Sequence, residues 1–204
     1  HRRYMEGCIQ RSGRPCMVHL PAEIIGTSES SIRNVLLTTK APDAAAAIKS
    51  IAHRLETNAR IIILCNGALS VKEEVNEVLT SVSLPGVGHA IYVASTTHGA
   101  FRHDDDSELY HVVHAGLGKT HVENFDSLAR LWDQSGLVAK SISKKEMNTL
   151  LFHKLAANCV INPLTALLQC ENGQLFQEPL YQKMVDPILE EVACVAKATN
   201  KDAQ

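Results

Sequence analysis

A chain of 204 residues, 45% apolar and 21% charged, has room for one domain or for a large domain with a smaller companion. Its formal charge of −2 and the lack of a Lys/Arg cluster exclude a nucleic-acid footprint. Its longest uninterrupted apolar runs, such as residues 35–37 and 61–65, are too short to span a bilayer. Six cysteines (Cys8, Cys16, Cys65, Cys159, Cys170, Cys194) show no C-x-x-C spacing, so they read as reduced thiols of an intracellular, cytoplasmic protein. The chain opens on His1 instead of an initiator methionine, which suggests a processed chain or a piece of a longer one. No apolar segment of a secretory signal follows the basic start.

Residues 4–26 read as a hairpin-like excursion: a short segment, a turn at Ser12-Gly13 and an extended stretch from Pro15 to Leu20. Asn34-Val35-Leu36-Leu37-Thr38-Thr39-Lys40 is a short β-forming run, as expected of a strand buried on both faces. Ala41-Pro42-Asp43 stops it, and Asp43 is the expected cap of a helix running through Leu55. Arg60-Ile61-Ile62-Ile63-Leu64-Cys65 is the next buried strand, closed by Asn66-Gly67, with a helix over about 71–79 behind it. Strand, helix, strand, helix at these lengths implies a parallel sheet. Lys40 and Asn66 then fall at carboxyl ends of strands, the edge where open α/β sheets bind ligands.

Residues 90–98 continue the pattern as a strand with a polar end, Ser95-Thr96-Thr97-His98. Residues 108–115 and 119–123 are expected strands joined by the turn Gly116-Leu117-Gly118, and 126–132 an expected helix. Gly116-Leu117-Gly118 lacks the third glycine and the following helix of a phosphate loop. His98, His103, His111, His114 and His121 crowd this region without the spacing of a metal site, since His111 and His114 fall on opposite faces of a strand.

From Ser141 the pattern turns helical. Ser143-Lys144-Lys145-Glu146 fits a capping box ahead of an apolar helix that runs to Leu168, with Pro163 expected to kink or break it and Asn172-Gly173 marking a stop. A last helix covers 182–198, with Pro187 interrupting. Within the first of these, Lys154, Asn158 and Asn162 are spaced i, i+4, i+8 and share one face, while Leu155, Cys159, Val160, Ile161 and Leu164 are expected to face the core. Asparagine is a poor helix former, so two of them in mid-helix require a reason. One is satisfaction of buried backbone groups. The other is a polar substrate held along the helix, with the Lys154 ammonium donating a proton or polarising a carbonyl.

Leu36-Leu37-Thr38-Thr39-Lys40, Cys65-Asn66-Gly67, Thr96-Thr97-His98-Gly99-Ala100, the run from Lys154 to Leu167 with its Lys-x-x-x-Asn-x-x-x-Asn-Pro-Leu-Thr-Ala pattern, and Asn172-Gly173 occur in that order. Together they resemble the ketopantoate reductase (2-dehydropantoate 2-reductase) family over residues 35 to 195. The resemblance implies an α/β fold, a Rossmann-type parallel sheet followed by a helical substrate and dimerisation domain. Here both would be partial, 1–142 and 143–204. It implies an oxidoreductase of pantothenate and coenzyme A biosynthesis that reduces 2-dehydropantoate to pantoate with NADPH. By the same resemblance Lys154 is the catalytic proton donor and Asn158, Asn162 and Asn172 bind substrate. Asn66 touches both substrate and cofactor, and Lys40 and Ala100 touch the cofactor. No metal, nucleic acid or membrane partner is implied. A small 2-keto acid is the substrate and a homodimer the candidate assembly.

The family opens with a strand and a G-x-G-x-x-G turn that this sequence does not contain, and it continues through helices beyond the match. The chain is therefore expected to be truncated at both ends, with a central sheet edge unpaired and the apolar face of the 182–198 helix exposed. Two other readings remain open on these residues. One is a non-catalytic remnant of the fold that acts as a binding protein. The other is a related dehydrogenase of the 6-phosphogluconate or hydroxyisobutyrate type.

Overall fold

A computed structural model of the chain describes residues 3–11, 14–22, 30–82, 88–102 and 110–201. It divides into two compact units, 1–144 and 145–204.

The first unit is α/β and Rossmann-like. Its five-stranded sheet has the order β3 (Ile32–Leu37), β4 (Leu55–Ile63), β5 (Ala90–Thr96), β8 (Thr120–Glu123), β9 (Ala139–Ile142). β3, β4 and β5 run parallel in the register Leu37, Ile63, Val93, β8 is antiparallel to β5, and β9 is parallel to β8. Parallel strands must be joined by crossovers, and α1 (Ala41–Ile51) and α2 (Ala68–Val82) supply them. In β4 the run Ile61, Ile62, Ile63 is buried on both faces, which is why it reads as continuous apolar sequence instead of alternating. Alternation along the strands gives Ile61, Ile63 and Val93 to one face, and α1 and α2 bring Ala44, Ile48, Val71, Val75 and Leu79 to the buried core. The other face carries Ile62, Ala94 and Val122 against Ala129 of α3 (Asp126–Gln134), with Tyr92, Phe125 and Trp132 around them. Tyr92 stacks on Phe125 at 4.4 Å and Arg60 lies over the same ring at 5.7 Å. Each fully buried aliphatic side chain in these two layers contributes about 1.5–3 kcal/mol.

A second sheet, order β2-β1-β7-β6, consists of β1 (Arg3–Arg11), β2 (Arg14–Ala22), β6 (Gly99–Arg102) and β7 (Tyr110–Gly116). β1 and β2 form the expected hairpin, whose turn at 12–13 lies outside the described residues. The histidine pair considered for metal includes His111, whose side chain also lies outside them. No cluster of three metal-ligating side chains occurs among the described residues.

Several local expectations are corrected. The strand β3 ends at Leu37, Lys40 is the N-cap of α1, and Pro42 sits inside the first turn with Asp43. Proline is tolerated there because its missing N–H would have no helical partner. The helix stops at Ile51 and a 3-10 turn, Ala52–Arg54, delivers Leu55 into β4 opposite Ile32. Buried Arg54 fixes that turn by donating from Nε to the Ser30 carbonyl at 3.0 Å. The four-residue strands β6 and β9 were not foreseen.

At the outer edges of the sheet, β3 and β9 are the terminal strands among the described residues, and Leu36 on β3 is 51% exposed. Lys72 of α2 holds Glu123 at the end of β8, with Nζ 3.3 and 3.2 Å from the two carboxylate oxygens. His121, two residues before it in β8, is held below the usual histidine pKa by burial first and then by the charges of Lys119 and Lys140. The unfolded chain therefore binds this proton more readily than the folded one. Above pH 6.5 the group costs nothing, and stability is lost as the pH falls through 6.5 toward the lower folded value. His121→Gln is expected to flatten the acid-side decline of the melting temperature. An unchanged slope would assign that decline to other groups.

The second unit is helical: α4 (Lys144–Leu168), α5 (Asn172–Leu175) and α6 (Pro179–Lys201). Val160 and Leu164 of α4 and Leu175 of α5 form its buried centre, with Ile161, Leu168, Tyr181, Val185 and Ile188 packed on it. Pro163 does not break α4, and Pro187 does not interrupt α6. Thr165, two residues beyond Pro163, donates to the Ile161 and Asn162 carbonyls at 2.8 and 3.1 Å. Asn172-Gly173 does not end a helix but starts one. Gln174 accepts from the Glu171 N–H at 3.0 Å while the Glu171 side chain caps the other way. By length and composition α4 is one helix that would reach across a bilayer, a property missed when only uninterrupted apolar runs are counted. It packs on α5 and α6 through Val160 and Leu164, with 11% of its apolar window buried. On α6, Met184, Leu189 and Val195 are exposed.

Candidate functional site

In the first unit the candidate residues collect at one edge of the parallel sheet. β3, β4 and β5 end side by side, about 4.8 Å apart, because their register is in step. Just past β3 come Thr39 and Lys40, past β4 come Cys65, Asn66 and Gly67, and at the end of β5 come Ser95, Thr96, Thr97 and His98. Lys40 and Asn66 are both exposed, on neighbouring strand exits. Gly67 takes φ 74°, a left-handed conformation that a side chain would strain, and its carbonyl accepts from Val71 N–H at 3.1 Å as α2 begins. The backbone at Asn66-Gly67 is thereby turned sharply from strand into helix. Ala100, also exposed, lies in β6, four residues beyond the last residue of β5, at an irregularity of the β6–β7 pairing. The first-unit candidates thus share the carboxyl edge of the sheet, with Ala100 on the strand that leaves it.

Two hydroxyls at this edge, Thr39 Oγ1 and Ser95 Oγ, are shielded from solvent without a hydrogen-bond partner, although Ser95 is only 3% exposed. Buried polar atoms are nearly always paired, so orphans here mark places where a polar ligand would find acceptors and donors. Sequence reasoning did not single them out. Their only signal was a run of hydroxyl residues at two strand ends.

His98 was also passed over as one of a crowd of histidines. Its Nδ1 lies 3.0 Å from His114 Nε2 and accepts from Gly118 N–H at 3.2 Å, and its Nε2 lies 3.0 Å from the Leu137 carbonyl. Around it, Thr97 N–H donates to the Lys119 carbonyl at 3.0 Å, and Lys119 N–H donates to Thr97 Oγ1 at 2.9 Å. Thr120 Oγ1 donates to Thr96 Oγ1 at 3.1 Å. Residues 117–119 join β7 to β8, and Gly118 N–H binds the exit of β5 through His98 Nδ1.

In the second unit, α4 carries Lys154, Asn158 and Asn162 on one face. Lys154 and Asn158 are half-buried and Asn162 is exposed, while Val160 and Leu164 turn into the core and Leu155, expected there, is 46% exposed. Such a row offers a cation and two carboxamides at a spacing of about 6 Å, enough to grip the carboxylate, carbonyl and hydroxyl of a small oxygen-rich molecule. Asn172 is exposed at the first position of α5, whose Leu175 is buried in the same cluster as Val160 and Leu164. Cys65, Cys159, Cys170 and Cys194 are in no disulfide.

Comparison with known proteins places these features in a family. Residues 6–127 match the family model described as ketopantoate reductase PanE/ApbA, and residues 146–203 match its C-terminal model. The 2-dehydropantoate 2-reductase of Vibrio cholerae is 33% identical over 169 residues, covering 80% of this chain and 53% of its own. The chain spans about half the length of the curated relatives it matches. Among solved structures, a PanE/ApbA family ketopantoate reductase from Ralstonia eutropha JMP134 superposes with TM-score 0.75 at 21% identity, over 96% of this chain and 62% of that one. A D-mandelate dehydrogenase solved with NADH and anilino(oxo)acetate superposes with TM-score 0.77 at 20% identity, over 95% and 61%. At those identities the structures share the fold. With both family models matched along most of its length, the chain belongs to the ketopantoate reductase family.

Proposed function

We propose that this chain carries the central part of an NADPH-dependent reductase that converts the ketone of 2-dehydropantoate to the alcohol of pantoate. The observation that carries the reading is the row Lys154, Asn158, Asn162 on α4, in a chain of this family. The relatives named 2-dehydropantoate 2-reductase support the substrate, and the neighbour solved with NADH supports a nicotinamide cofactor. The first unit serves as the cofactor domain and the second as the substrate and dimerisation domain of a cytoplasmic enzyme.

The carboxyl edge of the first unit fits such a cofactor. Lys40 supplies a cation for phosphate, Asn66 a carboxamide, Ala100 an exposed backbone stretch, and Thr39 and Ser95 unpaired hydroxyls. Bound there, the cofactor supplies the hydride. The Lys154 ammonium gives a proton to the carbonyl oxygen as negative charge develops on it. Asn158, Asn162 and Asn172 orient the carboxylate and hydroxyl, so that the ketone is presented in one pose.

A panel of 2-keto acids tests the substrate. Because the row is built to hydrogen-bond a hydroxyl, 2-dehydropantoate is expected to exceed its analogue lacking that hydroxyl by about 10²-fold or more in kcat/KM. Equal kcat/KM for the two, or a preference for an aromatic 2-keto acid, would reject pantoate formation as the function.

A further inference from the structure

The hydrogen bonds around His98 admit one arrangement. The Leu137 carbonyl can only accept, so His98 Nε2 carries the hydrogen and donates to it. Gly118 N–H can only donate, so His98 Nδ1 is bare and accepts. His114 Nε2, 3.0 Å away, must then be the second donor to that same lone pair. The Gly118 N–H and the Leu137 carbonyl thus assign the hydrogen of the His98 ring to Nε2, with its partners 16, 20 and 39 residues away in sequence.

The three partners belong to separate pieces of the fold. His114 is in β7, Gly118 in the β7–β8 connection, and Leu137 in the loop between α3 and β9. That loop is held under strain. Val138 has φ 46°, a left-handed conformation that a β-branched residue rarely adopts, and its carbonyl accepts from Thr120 N–H at 3.2 Å. Leu137 is fixed from its other side by donation to the Trp132 carbonyl at 3.1 Å. On the near side, Gly118 packs so closely that a Cβ would lie 2.2–2.5 Å from backbone atoms of Thr97 and His98. The exit of β5 is therefore clamped between two backbone segments, with the His98 ring as the bolt.

Resting on the functional reading above, we propose that His98 is a positioning residue: through Gly118, His114 and Leu137 it locks the Thr97–Ala100 backbone at the carboxyl end of β5 in the form that receives the nicotinamide cofactor. It touches no reacting atom and acts through the backbone it holds. Loss of the ring's hydrogen bonds releases Gly99 and Ala100 and weakens cofactor binding before it affects chemistry.

Two measurements test this. In the unsubstituted protein, long-range ¹⁵N–¹H correlation of the histidine rings is expected to show His98 with a bare Nδ1 and a protonated Nε2. An Nδ1–H tautomer would overturn the proposal without a variant being made. In steady-state kinetics His98→Phe, which keeps the ring and removes its hydrogen bonds, is expected to raise KM for NADPH about tenfold with kcat changed less than about threefold. His98→Asn, which can still accept from Gly118 N–H, is expected to recover part of that loss. A folded His98→Phe with KM unchanged, or with kcat alone reduced, would overturn the proposal. Failure of the unsubstituted protein to use NADPH at all would overturn the functional reading and this inference with it, whereas normal use with an unaffected variant overturns this inference alone.

Discussion

Replacing Lys154 by alanine is expected to lower kcat by about 10²–10⁴-fold while NADPH affinity stays within about twofold of its original value. The carbonyl oxygen of a 2-keto acid becomes an alkoxide as hydride arrives, and an ammonium that donates to it stabilises the transition state more than the ground state. The effect therefore appears in kcat. Unfolding is not the expected cause of the loss, because alanine has at least the helix propensity of lysine and Lys154 sits mid-helix on α4. Lys154→Arg keeps the charge but replaces a compact donor with a planar fork, and is expected to restore only a small part of the rate. Turnover of Lys154→Ala within about tenfold of the original would remove Lys154 from the chemistry.

The second large effect concerns stability. A Cβ added at Gly118 would lie 2.2 Å from the Thr97 carbonyl carbon, 2.3 Å from His98 N and 2.5 Å from the Thr97 oxygen. These are backbone atoms of a strand exit already tied down by Thr96, Thr97 and His98, so they cannot swing aside as a side-chain tip would. Gly118→Ala is expected to destabilise the first unit by about 3 kcal/mol or more, read as a shift of the denaturant midpoint. Gly116→Ala, two residues earlier, is the control. Its nearest non-neighbouring atom would be 3.9 Å away, and a change within about 1 kcal/mol is expected. Equal effects at the two positions would show that the Gly118 approach does not bear on stability.

How much of this was legible in the sequence varied with the range of the interactions. β4 and β5 were visible because buried parallel strands are written as apolar runs, and the Lys154, Asn158, Asn162 row because helix period alone aligns it, whereas β3, expected to be buried on both faces, is a terminal strand in which only Leu37 is fully buried. The start of β4 was hidden. Residues 44–55 keep a helical period throughout, and what ends α1 at Ile51 is the pairing of Leu55 with Ile32 and the hold of Arg54 on Ser30. β6 and β9 are too short to show a period and exist because β7 and β8 offer edges to them. Asn172-Gly173 was read as a stop from its turn-forming residues, while the Glu171…Gln174 pair that closes a capping box around it was overlooked. The His98 clamp had no local signature. A histidine beside Thr-Thr and Gly-Ala says little until the fold brings Gly118 and Leu137 to its two nitrogens.

The central claim is that the carboxyl edge of β3, β4 and β5 receives a nicotinamide cofactor, and the most direct measurement is a titration with NADPH followed by fluorescence or heat. It is made on the chain together with any residues that adjoin it in its natural reading frame. Saturable binding in about the micromolar range, weakened by Lys40→Ala and Asn66→Ala, is the predicted result. No saturation up to about 1 mM, or saturation indifferent to both substitutions, would contradict the account.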